Sequence, residues 1–317
     1  MKTRAIVLIA ILLAVAAAAV WVGWMIRYRP LTVFAWQTRA ALRTAGLRKV
    51  TVEAPVGRQT VFTGGTGPLV VLLHGAGDGA GTWFKVVPEL IRAHRLVVPD
   101  LAGHGESAPR RGPIDLKDVI GGFEAAMDAV TPGEKAVLVG NSLGAWVAMV
   151  EAQRRPGRVA AVVCIDGGAI RGNNLSARVL PRTRDEARES VAQTRDPGSA
   201  PVPDFVLDDI VRQARTGPLA RLAATASTMD RWILDEERLR DLSVPVHLIW
   251  GRSDRLVPLE YAERMRANLP EPDLVVLDRC GHVPQIECPD ALLAALREAV
   301  DSSQSTVDSP PVPSRSP

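Results

Sequence analysis

Ala136-Val137-Leu138-Val139-Gly140-Asn141-Ser142-Leu143-Gly144-Ala145-Trp146, continued through Arg154, passes from a short apolar run into helical spacing across one turn. Ala136–Val139 reads as a buried strand and Leu143–Arg154 as a helix. Between them, Gly140-Asn141-Ser142-Leu143-Gly144 fits G-x-S-x-G, the strand–turn–helix that presents a serine hydroxyl as a nucleophile. Strand and helix nearly touch in such a turn, so the residues two before and two after the serine must be small, as Gly140 and Gly144 are. The helix N-terminus then aims free N–H groups and its positive dipole end at a developing oxyanion. Taken alone, the same residues also describe a glycine-rich connection whose serine merely caps a helix. The flanking sequence decides.

Outward from this turn, strands and helices alternate. Lys49–Glu53 and Gln59–Thr63 are β-branched and separated by Pro55 and Gly57, a hairpin signature. Leu69–Leu73 is a continuous apolar run of the kind found in fully buried strands. Thr82 to Arg92 reads as a helix, Leu96–Val98 as a strand, and Leu116 to Val130 as a helix with Asp115 as N-cap. Val159–Ile165 is a further strand. The alternation stops across Ile170–Leu242, a polar, arginine-rich, helix-like stretch broken by Pro181, Pro197, Pro201 and Pro203. It resumes with Val246–Trp250, Leu259–Asn268, Leu274–Leu277 and Asp290–Val300. This pattern predicts a mostly parallel sheet covered on both faces, with its active site outside the carboxyl ends of the strands.

The candidate chemistry falls on those ends. A serine hydroxyl needs a general base near neutral pH. His282 follows the last strand and is the candidate; His247 (mid-strand) and His94 (end of a surface helix) read as structural. The imidazole in turn needs a carboxylate to fix its tautomer. Asp254 lies just beyond Val246–Trp250, and Asp166, after Val159–Ile165, is the competing acid. The order Ser142, Asp254, His282 is that of a nucleophile-elbow triad. An oxyanion hole requires two donors: the N–H of Leu143, and one from His74-Gly75-Ala76-Gly77-Asp78-Gly79, assigned to Ala76 with Gly77 as the alternative. His74 braces that loop. It carries no P-loop Lys-Ser/Thr ending and no G-x-G-x-x-G.

Together, His74-Gly75, Asp100-Leu101-Ala102-Gly103-His104-Gly105-Glu106-Ser107, the serine turn, Gly251-Arg252-Ser253-Asp254 and Gly281-His282-Val283-Pro284 make residues 50 to 300 resemble the α/β-hydrolase superfamily. The similarity is to the branch of single-chain lipases, esterases and carbon–carbon bond hydrolases. It implies an eight-stranded, mostly parallel sheet with helices on both faces and a helical cap after the sixth strand, where Ile170–Leu242 falls. It implies a structural role for His104, and serine at position 142 argues against the carboxylate nucleophile of dehalogenase and epoxide hydrolase relatives. One departure is Gly144-Ala145-Trp146, where a second glycine is common; Trp146 is expected to alter packing near the turn.

Before the hydrolase-like region, Lys2 and Arg4 precede an uncharged run from Ala5 to Ile26, closed by Arg27 and Arg29. Its length suits a bilayer, and Trp21, Trp24 and Tyr28 lie at one end, where interfacial aromatics belong. The reading is a single-pass membrane anchor; the alternative is a secretory signal cleaved near Ala17-Ala18-Ala19, giving a secreted or periplasmic protein. The charge count favours a cytoplasmic C-terminal side, whereas a short basic start before an apolar run is also the exporting pattern. Leu31 to Leu47 is an amphipathic basic stretch, either a helix on the membrane surface or an ordinary packing helix or linker. The expected organisation is an anchor or signal over 1–29, an amphipathic linker over 30–48, a core over 49–169 and 243–300, a cap over 170–242, and a disordered Ser- and Pro-rich tail over 301–317.

A net charge of only +3 with dispersed arginines gives no nucleic-acid footprint. Cys164, Cys280 and Cys288 supply no disulfide framework, and Cys164 reads as a buried small hydrophobe. The expected function is a serine hydrolase cleaving small-molecule or lipid esters, with no cofactor and no metal. A carbon–carbon bond hydrolase of ring-cleavage products and an acyltransferase use the same triad. A non-catalytic binding module predicts a damaged triad, and every element is present.

Overall fold

The computed structural model describes residues 2–171 and 179–307. Eight strands form one sheet: β1 (Arg48–Val52), β2 (Gln59–Gly64), β3 (Leu69–Leu73), β4 (Arg95–Pro99), β5 (Ala136–Asn141), β6 (Val159–Ile165), β7 (Val246–Gly251) and β8 (Asp273–Leu277). Their spatial order is β1-β2-β4-β3-β5-β6-β7-β8. The β1–β2 and β2–β4 pairs are antiparallel, and all pairs from β4 to β8 are parallel. This is the mostly parallel sheet that the family resemblance implies.

The helices are α1 (Lys2–Tyr28), α2 (Pro30–Thr44), α3 (Val87–Leu90), α4 (Leu116–Val130), α5 (Leu143–Arg154), α6 (Arg184–Thr194), α7 (Asp204–Thr216), α8 (Pro218–Ala223), α9 (Glu236–Arg240), α10 (Leu259–Arg266), α11 (Pro284–Glu287) and α12 (Pro289–Val307). Strand alternation sorts the core into two layers. In β3, Leu69, Val71 and Leu73 pack with side chains of α4, α5 and α10. Val70 and Leu72 face the opposite layer, with Leu42 of α2, Leu90 of α3 and Leu296 of α12. Both faces are therefore covered, which is why β3 and the Ala136–Val139 part of β5 are apolar throughout rather than alternating. Helices α6–α9 all lie between β6 and β7 in the chain.

Local signals explain the element ends. Asp115 caps α4 by accepting the Lys117 N–H at 2.7 Å. The helix expected over Thr82–Arg92 is instead a 3₁₀ turn, Ala80–Lys85, followed by α3. Pro88 has no N–H to return to residue 84, so one continuous helix cannot form across it.

Two expectations are corrected. Residues 301–307 are not a disordered tail: α12 continues to Val307. Ser303 is buried, and its hydroxyl bonds the Ala299 carbonyl at 2.6 Å and His247 Nε2 at 3.1 Å. Serines that bond back to the preceding turn can remain helical despite their composition. The rest of that stretch, 308–317, lies outside the described residues. The cysteines also do more than expected. Cys280 and Cys288 form a disulfide with Cα atoms 5.9 Å apart, while Cys164 is free and buried.

Ile6–Tyr28 is the one helix among the described residues long and apolar enough to cross a membrane, with mean hydropathy 2.8 and no residue of its most apolar window buried. Helix α2 packs against the protein. Thr38, Arg39 and Leu42 are buried, and Arg39 meets Asp100 at 3.4 Å with both side chains nearly inaccessible. At its start, the Leu31 N–H donates to Asp209 of α7 at 3.0 Å. Phe34 and Trp36 remain exposed, Trp36 stacked on Trp21 at 6.2 Å.

Candidate active site

Ser142 sits between β5 and α5 at φ +54° and ψ −113°, a strained conformation for a residue with a side chain. Three glycines permit it. A Cβ on Gly140 would lie 2.3 Å from the Gly144 carbonyl carbon, one on Gly144 2.2 Å from the Leu73 oxygen, and one on Gly167 2.5 Å from the Ser142 Cα. The Ser142 N–H is fixed by Ile165 O at 2.9 Å. Leu143 opens α5, so helix geometry gives its N–H no intrahelical acceptor.

Asp254 and His282 come together. His282 Nδ1 lies 2.7 Å from Asp254 Oδ2, both residues buried, and Asp254 Oδ1 accepts the Leu256 and Val257 N–H groups at 2.8 and 2.9 Å. The carboxylate is thus locked by its own turn, and Nε2 is the ring nitrogen left for the serine. The neighbour of Ser142 connects the two parts. Asn141 Nδ2 donates to the His282 carbonyl at 2.9 Å, and Gln285 Nε2 donates to Asn141 Oδ1 at 3.1 Å.

The loop after β3 lies against the serine turn. A Cβ on Gly75 would stand 3.4 Å from Ser142 Cβ, and Ala76 is the next residue in the chain. Gly77 adopts φ +84°, with α8 Leu219 packed 3.4 Å from where its Cβ would be. His74 bonds through both nitrogens: Nδ1 to the Gly75 carbonyl at 2.8 Å and Nε2 to the Leu101 N–H at 2.9 Å. These bonds require the neutral ring with the proton on Nδ1, a brace rather than a base.

Burial lowers the pKa of His74 to about 4 and that of the adjacent His104 to about 3. Both stay neutral when folded, while the unfolded chain takes up protons below about pH 6.5. Stability is therefore full above that pH and falls as acid drives protons onto the unfolded chain, by roughly 1.4 kcal/mol per pH unit for each histidine. We expect melting temperatures measured from pH 7.5 to 5 to decline, and the decline to be shallower in His104→Asn.

Several contributing residues escape motif reading. Glu287 accepts the Gly281 N–H at 2.6 Å and the Asp196 N–H at 3.0 Å, and bonds the Ser199 hydroxyl, tying the histidine loop to the segment after α6. The His282 N–H donates to Thr194 O at 2.9 Å, at the end of α6. The disulfide flanks His282 and Glu287; the readable signal was one cysteine on each side of the candidate base. We expect Cys280→Ser/Cys288→Ser to lose about 2–3 kcal/mol of stability from loop closure. Differential scanning calorimetry and ester turnover should both register the change. Trp146 reaches the segment between β6 and β7, its indole donating to Trp232 O at 2.8 Å.

A second Ser–His–Asp set shows what hydrogen-bond geometry alone lacks. His247 Nδ1 meets Asp273 at 2.8 Å and Nε2 meets Ser303 at 3.1 Å. Ser303 lies in the last turns of α12, away from any helix N-terminus, and its hydroxyl is engaged by Ala299. His247 thereby ties β7 to β8 and to the end of α12. Asp166, the rival acid, bonds the Gly251 N–H through Oδ1 at 2.8 Å, and it is Asp254 that holds the imidazole.

Comparison with known proteins agrees with the architecture. A pimeloyl-(acyl-carrier protein) methyl ester esterase of Aromatoleum aromaticum is 32% identical over 254 residues, 74% of this chain and 98% of that protein. A 2-hydroxy-6-oxo-6-phenylhexa-2,4-dienoate hydrolase of Burkholderia cepacia is 28% identical over 250 residues, 72% of this chain and 85% of that one. Among solved structures, a membrane phospholipase A described as a bacterial virulence factor superposes with a TM-score of 0.74 at 24% identity, covering 96% of this chain and 99% of its own. A model of the alpha/beta hydrolase family matches residues 70–295, from β3 to α12, and this chain belongs to that family.

Proposed function

We propose that the chain is a membrane-anchored serine hydrolase that cleaves carboxylic esters, lipid esters among them, through an acyl-enzyme on Ser142. The observation that carries this is the buried 2.7 Å Asp254–His282 pair, tied through Asn141 to a strained serine at a helix N-terminus. Ser142 Oγ attacks the ester carbonyl as His282 Nε2 takes its proton. The N–H groups of Leu143 and Ala76, with Gly77 the alternative to Ala76, hold the oxyanion. His282 then protonates the leaving alcohol. Water, deprotonated by the same imidazole, releases the acid and restores the serine. The reading uses no metal and no cofactor.

Residues 170–242 act in this reading as a cap over the core formed by 49–169 and 243–300. Helix α1 is the uncleaved anchor, and α2 joins the core to the cap, through Arg39 to Asp100 and through Leu31 to Asp209 of α7. That placement favours substrates taken from lipid. A disulfide persists where thiols are oxidised, so the catalytic domain belongs on the exported side, with Lys2 and Arg4 in the cytoplasm.

The test is a fluorophosphonate probe on the detergent-solubilised full chain. Labelling of wild type and not of Ser142→Ala supports the nucleophile; equal labelling of both rejects it. The relative from Burkholderia cepacia supports one second reading, carbon–carbon bond hydrolysis by the same triad. Turnover of a vinylogous diketone in preference to long-chain esters would favour it. An acyltransferase would show an alcohol acceptor outcompeting water.

A further inference from the structure

One buried acid has no part in that mechanism. Asp166 directly follows β6, and its N–H donates to Ile249 O of β7 at 3.1 Å. Its backbone is held at φ +48°. The side chain is completely buried. Oδ1 accepts the Gly251 N–H at 2.8 Å, while Oδ2 meets no N–H or O–H donor among the described residues. The same Gly251 accepts the Asp254 N–H on its carbonyl at 3.1 Å, so one turn holds both aspartates, and Asp254 is the charge that acts most strongly on Asp166.

Asp254 has both oxygens engaged, Oδ1 by two backbone N–H groups and Oδ2 by His282. Two buried, neighbouring carboxylates cannot both hold their charge. Burial, and then the charge of Asp254, push the Asp166 carboxyl well above the usual carboxylate range, and Glu287 adds a further negative charge on the α11 side. The proton that relieves the repulsion belongs on Asp166, whose Oδ2 has no donor among the described residues.

Resting on the triad reading above, we propose that Asp166 is a positioning residue: a neutral carboxylic acid that donates a hydrogen bond to Asp254, giving the chain Asp166–OH to Asp254 carboxylate to His282. The proton stays on Asp166 throughout turnover. Its role is to fix the Asp254 carboxylate on the side away from the imidazole and to share its negative charge, which moderates how tightly the imidazolium is held. The groups facing it are Asp254 and Glu287, with His282 beyond Asp254.

The consequence has a definite sign. With Asp166→Leu, the Asp254 charge is no longer shared, the imidazolium is held more strongly, and activity requires a higher pH to free the base. The acidic limb of kcat/KM should move up by about one pH unit, and kcat should fall about tenfold. Asp166→Asn keeps a neutral donor and should return the limb toward its wild-type position. Infrared spectra of protein labelled with ¹³C-aspartate supply a readout independent of turnover. Burial also raises the Asp78 carboxyl, so the readout is a difference: at pH 7 the wild type minus Asp166→Asn spectrum should show the carbonyl stretch of one protonated carboxyl. No such band in that difference, or identical pH limbs for the Leu and Asn variants, would overturn the proposal. If the Leu variant does not fold, the band and the Asn variant still decide. Because the band needs no chemistry at Ser142, a failure here is separable from a failure of fluorophosphonate labelling.

Discussion

Ser142→Ala is expected to lower kcat for ester hydrolysis by about 10⁵–10⁶ while leaving the fold intact. The methyl group occupies the same strained position, so Gly140, Gly144 and Gly167 keep their contacts and only the nucleophile is lost. Asp254→Asn is expected to cost about 10⁴, because an amide at the end of β7 can donate to His282 Nδ1 and stabilise the wrong tautomer. The double variant should be little worse than Ser142→Ala, since residues that act in one step do not contribute separately. Steady-state kinetics on a short p-nitrophenyl ester, with circular dichroism as the fold control, measures all three. Retention of even a tenth of wild-type turnover in Ser142→Ala would remove the acyl-enzyme from the mechanism.

The legible parts of this molecule are those in which local chemistry and fold agree. The β5–turn–α5 unit follows from a four-residue apolar run, two glycines and a helical pattern, and Asp115 caps α4 as its position suggests. The pairing of His282 with Asp254 follows from chain order because both lie just beyond strand ends of a parallel sheet. What escaped depends on contacts that spacing does not encode. Arg39 finds Asp100 across 61 residues, a contact that selects the packing helix where the sequence left it open against a membrane-surface helix. Glu287 gains its role only because α6 delivers Asp196 and Ser199 to it. Two cysteines eight residues apart carry no pairing information until the loop between them closes. The Ser-rich end of α12 looks unfolded by composition, yet His247 and Ala299 engage Ser303.

The packing beneath the serine predicts the second large effect. A Cβ on Gly144 would stand 2.2 Å from the Leu73 oxygen, 2.6 Å from its carbonyl carbon and 2.8 Å from its Cβ, so the obstruction is mainly the backbone of β3 and not a side chain that can turn aside. Relief requires β3 and α5 to separate. β3 runs directly into His74, Gly75 and Ala76, and separation moves the proposed second oxyanion donor, Ala76, away from Leu143. Gly144→Ala should therefore lose stability and catalysis together, about 3 kcal/mol or more from the backbone clash and at least about a hundredfold in kcat from misplaced donors. Gly121 provides the contrast: it lies inside α4, and a Cβ there would have nothing within 4 Å. Gly121→Ala should gain about 0.5–1 kcal/mol from helix propensity and leave turnover unchanged. Urea denaturation of the two variants in the same detergent separates a general cost of replacing glycine from the specific closeness of strand and helix. Equal behaviour of the two would show that β3 and α5 do not meet at the serine turn, and the oxyanion hole would have to be built from other donors.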